Sequence, residues 1–256
     1  MFGPALRPLS LGEILDVAFG LYRNLFFPLL TVTLITGAIP LAISVYVESS
    51  GGALVNLPLY FANLLLNTIL GAIAAAAATF IVSESYMGRR LTAFEALSRA
   101  APFIGRLILL GILTGFVVVL GLMLFLIPGF ILLSGLALAT PAMVIEALPT
   151  STGAMGRSWA LTRGHRLKVF GALFVVVVLM YIPFIALGGI AAASMSAGGG
   201  AGSISGQFVA LTATAALLST LIWPLFYCVL TVSYYDLRVR KEAFDLEVLA
   251  SGLAQA

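Results

Sequence analysis

Residues 107–126 read LILLGILTGFVVVLGLMLFL, an uncharged run between Arg106 and the tripeptide Ile127-Pro128-Gly129. About 20 apolar residues make a helix long enough to cross the hydrocarbon of a bilayer. What stands at its two ends decides more. Arg99 and Arg106 precede the run, and no basic residue follows it until Arg157. The same alternation extends along the whole chain. All 13 Lys and Arg residues fall into four clusters: Arg7 and Arg23; Arg89, Arg90, Arg99 and Arg106; Arg157, Arg163, Arg166 and Lys168; Arg238, Arg240 and Lys241. The intervening connections, near 48–56, 127–129 and 194–206, hold none. Lys and Arg are retained on the cytoplasmic side of a bilayer, so the pattern predicts six spans with both termini inside. The expected fold class is an all-α membrane protein.

Composition agrees. Of 256 residues, 61% are hydrophobic and 9% charged, with mean hydropathy +1.14. Soluble chains carry about 25% charged residues. Six spans of about 20 residues use about half the chain. The rest serves interfacial segments and short loops, leaving no room for a soluble catalytic domain. A net charge of +3 held on one face points to anionic lipid headgroups rather than nucleic acid. The one cysteine, Cys228, excludes an intramolecular disulfide and, inside an apolar run, is read as packing. The first apolar run begins at Leu25, too late for a secretory leader, so no cleaved signal peptide is expected.

The six runs are placed at about 25–47, 57–82, 107–126, 130–145, 169–193 and 208–232. Pro128 and Gly129 are expected to reverse the chain between the third and fourth. The fourth contains Pro141 and is short enough to be tilted, kinked or partly inserted. Residues 194–206, rich in Gly and Ser, read as an uncharged, mobile loop. Tyr22, Tyr86, Tyr234 and Tyr235 are assigned to the inner interface, and Tyr46 and Tyr60 to the outer one. Tyr181 and Trp223 fall near mid-membrane, where they need internal partners or a water-lined cavity.

Each odd-numbered span follows a segment with helical periodicity. In the first, Leu11, Ile14, Leu15, Ala18, Leu21, Tyr22 and Leu25 recur on one face. In the second, Phe94, Leu97, Ala101, Ile104 and Ile108 oppose Glu95, Ser98, Arg99, Pro102 and Arg106. Ser10 with Glu13, and Thr92 with Glu95, form capping boxes. The third segment, residues 152–166, aligns with the second at an offset of 60, pairing Thr92 with Thr152 and Ser98 with Ser158. The reading is one membrane domain, 1–256, with a threefold hairpin repeat over 10–88, 92–147 and 152–235 and a tail over 236–256. Three amphipathic helices would lie on the cytoplasmic surface, apolar stripe towards the lipid.

Residues able to carry chemistry are few. His165 is the one histidine and sits in a cationic run, read as facing headgroups. Metal, nucleotide and hydrolase signatures are missing from the sequence, so neither a cofactor nor a metal is expected. Asn63 and Asn67, at i and i+4, share one face of the second span. An amide in hydrocarbon must be paired, so that face should turn towards another helix or a cavity. Glu84 and Glu146 end the second and fourth spans and should pair with cations such as Arg89, Arg90, Arg157 or Arg163. In the tail, Asp236 with Arg240 and Arg238 with Glu242 are i,i+4 pairs if helical. This end is read as a solvated extension of the sixth helix. The Ala/Gly-rich face of the second span permits close contact within one chain or between two copies.

Three stretches carry a family resemblance. They are Arg7 to Asp16; Pro141 to Glu146 followed by Gly156-Arg157-Ser158-Trp159-Ala160-Leu161-Thr162-Arg163-Gly164; and Tyr234 to Glu242 with Asp245-Leu246-Glu247. Together they resemble the membrane-domain family named after glycerophosphoryl diester phosphodiesterase, bacterial six-span proteins of unknown function. In fused relatives the hydrolytic activity would belong to a separate soluble barrel, so the resemblance implies no catalytic residue here. It implies a helical module of the bacterial inner membrane. Its polar elements, here Glu146, Arg157, Ser158, Trp159, Asp236 and Arg238, would form one layer with Glu84 and Arg163, joining the tail to the third interfacial helix. The function expected is a non-enzymatic scaffold or lipid-contacting subunit of an envelope or membrane complex. Its partners would be membrane lipids, with a protein partner or a second copy possible. The alternative is a transporter or channel subunit for a small or lipidic solute.

Overall fold

A computed structural model describes residues 7–52, 54–196 and 201–244. The sequence readings at Asp245, Leu246 and Glu247, over the rest of the tail, and at 197–200 in the Gly/Ser-rich stretch lie outside the described residues. The described residues form α-helices, one 3-10 turn at 101–103, and no strand.

In chain order the helices are α1 (Leu11–Asn24), α2 (Phe26–Ser49), α3 (Leu57–Tyr86), α4 (Ala93–Ala100), α5 (Ile104–Leu124), α6 (Leu126–Leu136), α7 (Ala139–Ile145), α8 (Ser151–Thr162), α9 (Arg166–Ser196) and α10 (Ala201–Glu242). Six of these segments are long and apolar enough to cross a membrane, with α4–α5 and α6–α7 each counted as one. The protein is therefore a multi-pass membrane protein. A helix satisfies its own backbone polar groups, which lipid cannot do, so apolar runs of this length have no other stable form there.

Four sequence segments meet at one end of the bundle: Leu9 touches Asp236, Lys168 reaches Asp236, Arg106 reaches Leu148, and Arg157 reaches Glu242. This is the charged end.

The two capping boxes are present. Glu13 N–H donates to Ser10 Oγ at 3.3 Å and Ser10 N–H to Glu13 Oε2 at 2.7 Å. Thr92 and Glu95 repeat the exchange at 3.3 and 3.0 Å. α8 is capped by Thr150, whose hydroxyl accepts from Gly153 N–H at 3.2 Å. The cap thus falls two residues before Thr152, the position aligned with Thr92.

The short helices bury small faces against the bundle. α1 buries Ile14, Ala18 and Leu21, and α4 buries Ala93, Ala96 and Ala100. The α4 face that packs inward is therefore an alanine row one position ahead of the Phe94–Leu97–Ala101 stripe, and Phe94 is 76% exposed. Alanine allows the closer approach that a Phe would block.

Further expectations are corrected. The reversal after α5 occurs at Phe125 (φ −159°, ψ 144°), while Pro128 lies in the first turn of α6, where a missing N–H costs nothing. Gly129 serves the crossing of α5 and α6, since a Cβ there would lie 2.8 Å from Leu122 Cα. The fourth span is interrupted between Leu136 and Ala139, not at Pro141, which sits in the first turn of α7. Helix continues through 194–196 and 201–206, so most of the expected loop is α9 or α10.

α10 is enclosed rather than solvated at the charged end. It packs against α1, α2, α3, α7, α8 and α9, and every residue from Cys228 to Leu237 is buried. Tyr86, Tyr234 and Tyr235, assigned to the interface by sequence, are core residues. Their rings suit that place because each buries a large area: Tyr86 stacks on Tyr235 at 4.9 Å, and Tyr235 Oη is 2.6 Å from Ser83 Oγ. Ala76, Ala77 and Ala78 are fully buried within this one chain, which shows which contact the alanine run of α3 serves.

Candidate functional site

Among the described residues, three ionic clusters at the charged end join separate segments, apart from the local Arg7–Glu13 pair at the start of α1. The first is built on Asp236, which is 2% exposed. Its carboxylate accepts from Leu9 N–H at 2.7 Å, Lys168 Nζ at 2.5 Å and Arg240 Nε at 3.1 Å. Lys168 and Arg240 also donate to the Leu9 carbonyl. Both backbone polar groups of Leu9, ahead of α1, are thus held by side chains from α9 and α10. A carboxylate this buried is stable only with its lone pairs filled and counter-charges adjacent, and both conditions are met.

The second cluster is built on Arg157 of α8. Its guanidinium meets Glu146 with Nε at 2.8 Å and Glu242 with Nη2 at 2.7 Å. Tyr234 Oη donates to Glu146, and Arg238 reaches Glu242 at 3.2 Å. The hydrogen bonds to Glu242 and then Glu146 raise the Arg157 pKa above its ordinary value. Glu146 reaches this cluster because α7 ends through Ala147 in the left-handed region (φ 50°), with Leu148 N–H returning to the Met143 carbonyl at 3.0 Å. Lys241 adds a bond to the Ala160 carbonyl of α8 at 2.8 Å.

The third cluster is separate. Glu84 accepts from Arg89 Nε at 2.5 Å and from Arg99 Nη1 at 2.9 Å, closing α3 onto α4.

Ser158 and Trp159, next to Arg157, repair the break between α6 and α7. Ser158 Oγ donates to the Gly135 carbonyl at 2.7 Å and accepts from Leu138 N–H at 3.2 Å. Thr162 Oγ1 lies 3.2 Å from the same carbonyl. These are backbone groups that an interrupted helix would leave orphaned. Trp159 lies so close that a Cβ on Gly135 would sit 2.5 Å from its ring. The Arg166 guanidinium lies over the indole, 3.6 Å from its centroid.

Of the layer named from sequence, Glu146, Arg157 and Arg238 meet in one cluster, and Ser158 and Trp159 lie beside it on α8. Asp236 belongs to its own cluster, and Glu84 to a third. Arg163 is exposed at the end of α8 with no carboxylate partner among the described residues. Lys168, Tyr234, Thr162 and Gly135 are not in the layer named from sequence. Their spacing carries no signal, because these partners are 23 to 159 residues away.

Asn63 and Asn67 have different surroundings. Asn63 is buried and donates to Ser44 Oγ at 2.9 Å, while its Oδ1 has no partner. Asn67 is exposed and lines a cavity of about 370 Å³ between α2, α3 and α10, with Thr33, Thr36, Ser44, Ser219 and Trp223. Trp223 thus borders a cavity as expected, whereas Tyr181 is 60% exposed on the outside of α9. His165 is half-buried with its Nδ1 enclosed and unpartnered, rather than open to headgroups. Proline has left carbonyls to be satisfied near this cavity. Pro224 cannot donate to Thr220, and Thr33 Oγ1 lies 3.1 Å from that carbonyl, while Tyr22 donates to Leu221 at 2.8 Å.

Among the described residues, no group of three His, Cys, Asp or Glu is placed to hold a metal ion. Compared with known protein families, curated proteins and solved structures, the chain matches none of them.

Proposed function

We propose that this chain is a non-enzymatic protein of the bacterial inner membrane, with both termini cytoplasmic, acting as a scaffold or lipid-contacting subunit of a membrane or envelope complex. The resemblance to the glycerophosphoryl diester phosphodiesterase membrane-domain family, without its catalytic barrel, is part of this reading. So is descent from a triplicated helix-hairpin unit. The orientation rests on the one-sided distribution of Lys and Arg.

One observation carries the lipid-contacting role. Arg23, Arg90 and Arg163 are exposed at the charged end and have no carboxylate partner among the described residues. Exposed apolar side chains share that end: Phe19 (43%), Phe94 (76%) and Leu167 (87%). Free cations beside outward apolar groups suit an anionic headgroup above and acyl chains below. Buried Asp236 is paired with half-buried Lys168, and half-buried Glu146 with half-buried Arg157, which fits a structural role for these charges.

The test is lipid retention. Protein extracted from mixed phosphatidylglycerol–phosphatidylethanolamine nanodiscs should keep phosphatidylglycerol by native mass spectrometry. The Arg23→Gln/Arg90→Gln/Arg163→Gln variant should lose that preference. Equal retention by both proteins would refute the reading.

A second reading, transport of a small or lipidic solute, is favoured by the polar cavity at Asn67. Neither Asn63 nor Tyr181 lines it. Flux into liposomes containing the purified protein would establish transport.

A further inference from the structure

The cavity at Asn67 has an unusual balance of polar groups. Thr36, Ser219 and Thr220 each donate to a carbonyl of the preceding turn of their own helix, at 2.8 to 3.0 Å, leaving oxygen lone pairs for other partners. Asn67 has no hydrogen-bond partner among the described residues and is exposed, about 15 Å along α3 from Leu57 at 1.5 Å per residue. Pro40 removes the N–H that would have bonded the Thr36 carbonyl. An unpaired amide at this depth costs several kcal/mol facing hydrocarbon. No charged residue lines the cavity.

An apolar groove adjoins it. Leu34, Gly37, Ala38, Leu41 and Thr220 line a second hollow between α2 and α10, and Gly37, Leu41 and Thr220 border both spaces. Leu34 and Leu217, on the groove wall, are 47% and 55% exposed, so it opens towards the acyl chains of the bilayer.

We infer that the cavity and groove together bind a lipid with an uncharged, hydroxyl-bearing headgroup, of the acylglycerol class. The headgroup hydroxyl donates to the lone pairs on α2 and α10 and accepts from the Asn67 amide, while the acyl chain follows the groove past Gly37. A phosphate or ammonium would enter without a counter-charge, so the lining discriminates against ionic phospholipids. This deepens the lipid-contacting reading at a location remote from the free arginines.

The experiment uses the full chain in phosphatidylglycerol–phosphatidylethanolamine nanodiscs with a diazirine-bearing monoacylglycerol, and maps cross-links by mass spectrometry. Cross-links should concentrate on residues 34–45 and 216–223 and be competed by unlabelled monoacylglycerol but not by extra phosphatidylglycerol. Asn67→Leu should lower them about tenfold, the factor for about 1.4 kcal/mol of lost binding. Gly37→Leu, where an added Cβ meets no atom within 4 Å, should block the junction and lower them comparably. Labelling that is unchanged in both variants, competed equally by phosphatidylglycerol, or replaced by cross-links to a second copy would overturn the proposal. Loss of this labelling with phosphatidylglycerol retention intact would remove the cavity site and leave the headgroup-contact reading standing.

Discussion

Replacing Asp236 by Asn keeps the side chain's shape and removes its charge. The Asn oxygen can still accept from Leu9 N–H, but its amide then faces Lys168 Nζ at the position now 2.5 Å from Asp236 Oδ2. Two donors meet where a donor and an anion stood. A charge-assisted hydrogen bond contributes about 1.5–3 kcal/mol, and stranding the partner of a buried ion pair costs about 3–5 kcal/mol. Lys168 retains the Leu9 carbonyl and some solvent access, which places Asp236→Asn at about 2–4 kcal/mol of destabilisation. The assay is unfolding in mild detergent micelles titrated with SDS, followed by tryptophan fluorescence. Lys168→Met and the double variant complete a cycle, and the coupling should be at least about 1.5 kcal/mol. Because the Asp236 side chain is 1% exposed, raising the salt concentration should leave this coupling nearly unchanged. An Asp236→Asn protein within about 0.5 kcal/mol of the parent, the range of ordinary surface changes, would refute the reasoning.

Ser158→Ala removes the acceptor for Leu138 N–H and one of two hydroxyl donors to Gly135. With Thr162 as partial replacement, it should cost about 1–3 kcal/mol in the same assay, and Ser158→Ala with Thr162→Val should cost more. Ala147→Gly should stabilise the protein by about 1 kcal/mol, because a left-handed residue with a Cβ carries that penalty; a lower midpoint would contradict the backbone assignment. Glu13 is held at a pKa of about 2 by hydrogen bonds from the Ser10 backbone and the Arg7 guanidinium. Its folded pKa is depressed, so the contribution is present above the ordinary value of 4.5 and is lost as pH falls towards 2. Hydrogen exchange at the start of α1 should accelerate over that window, and Glu13→Gln should flatten the dependence.

Sequence carried the long-range architecture well where its signal is periodic or cumulative. The apolar runs, the two capping boxes, and the Asp236–Arg240 and Arg238–Glu242 spacings depend on neighbours within a few residues. Other features depend on what crosses from elsewhere in the chain. The Phe94 stripe reads as the lipid-facing side of its helix, and that pattern is silent on the alanine row beside it, which packs against the bundle. Pro128-Gly129 reads as a turn in isolation, but the glycine is needed for the approach to Leu122. The three tyrosines of the charged end have interfacial chemistry and become core through partners on other helices. The break before Ala139 has no local signature, since its repair is encoded in Ser158 and Thr162.

The enclosure of α10 by six neighbours has a consequence for biogenesis. It is the sixth span to leave the ribosome, and its Asp236 closes a contact with Leu9 across 227 positions. Until it inserts, Lys168 lacks Asp236 and Arg157 lacks Glu242, although Arg157 already meets Glu146 and Lys168 the Leu9 carbonyl. The five-span assembly therefore holds a half-buried ammonium without its counter-ion. Docking of α10 supplies both carboxylates and closes the contact between Asp236 and Leu9.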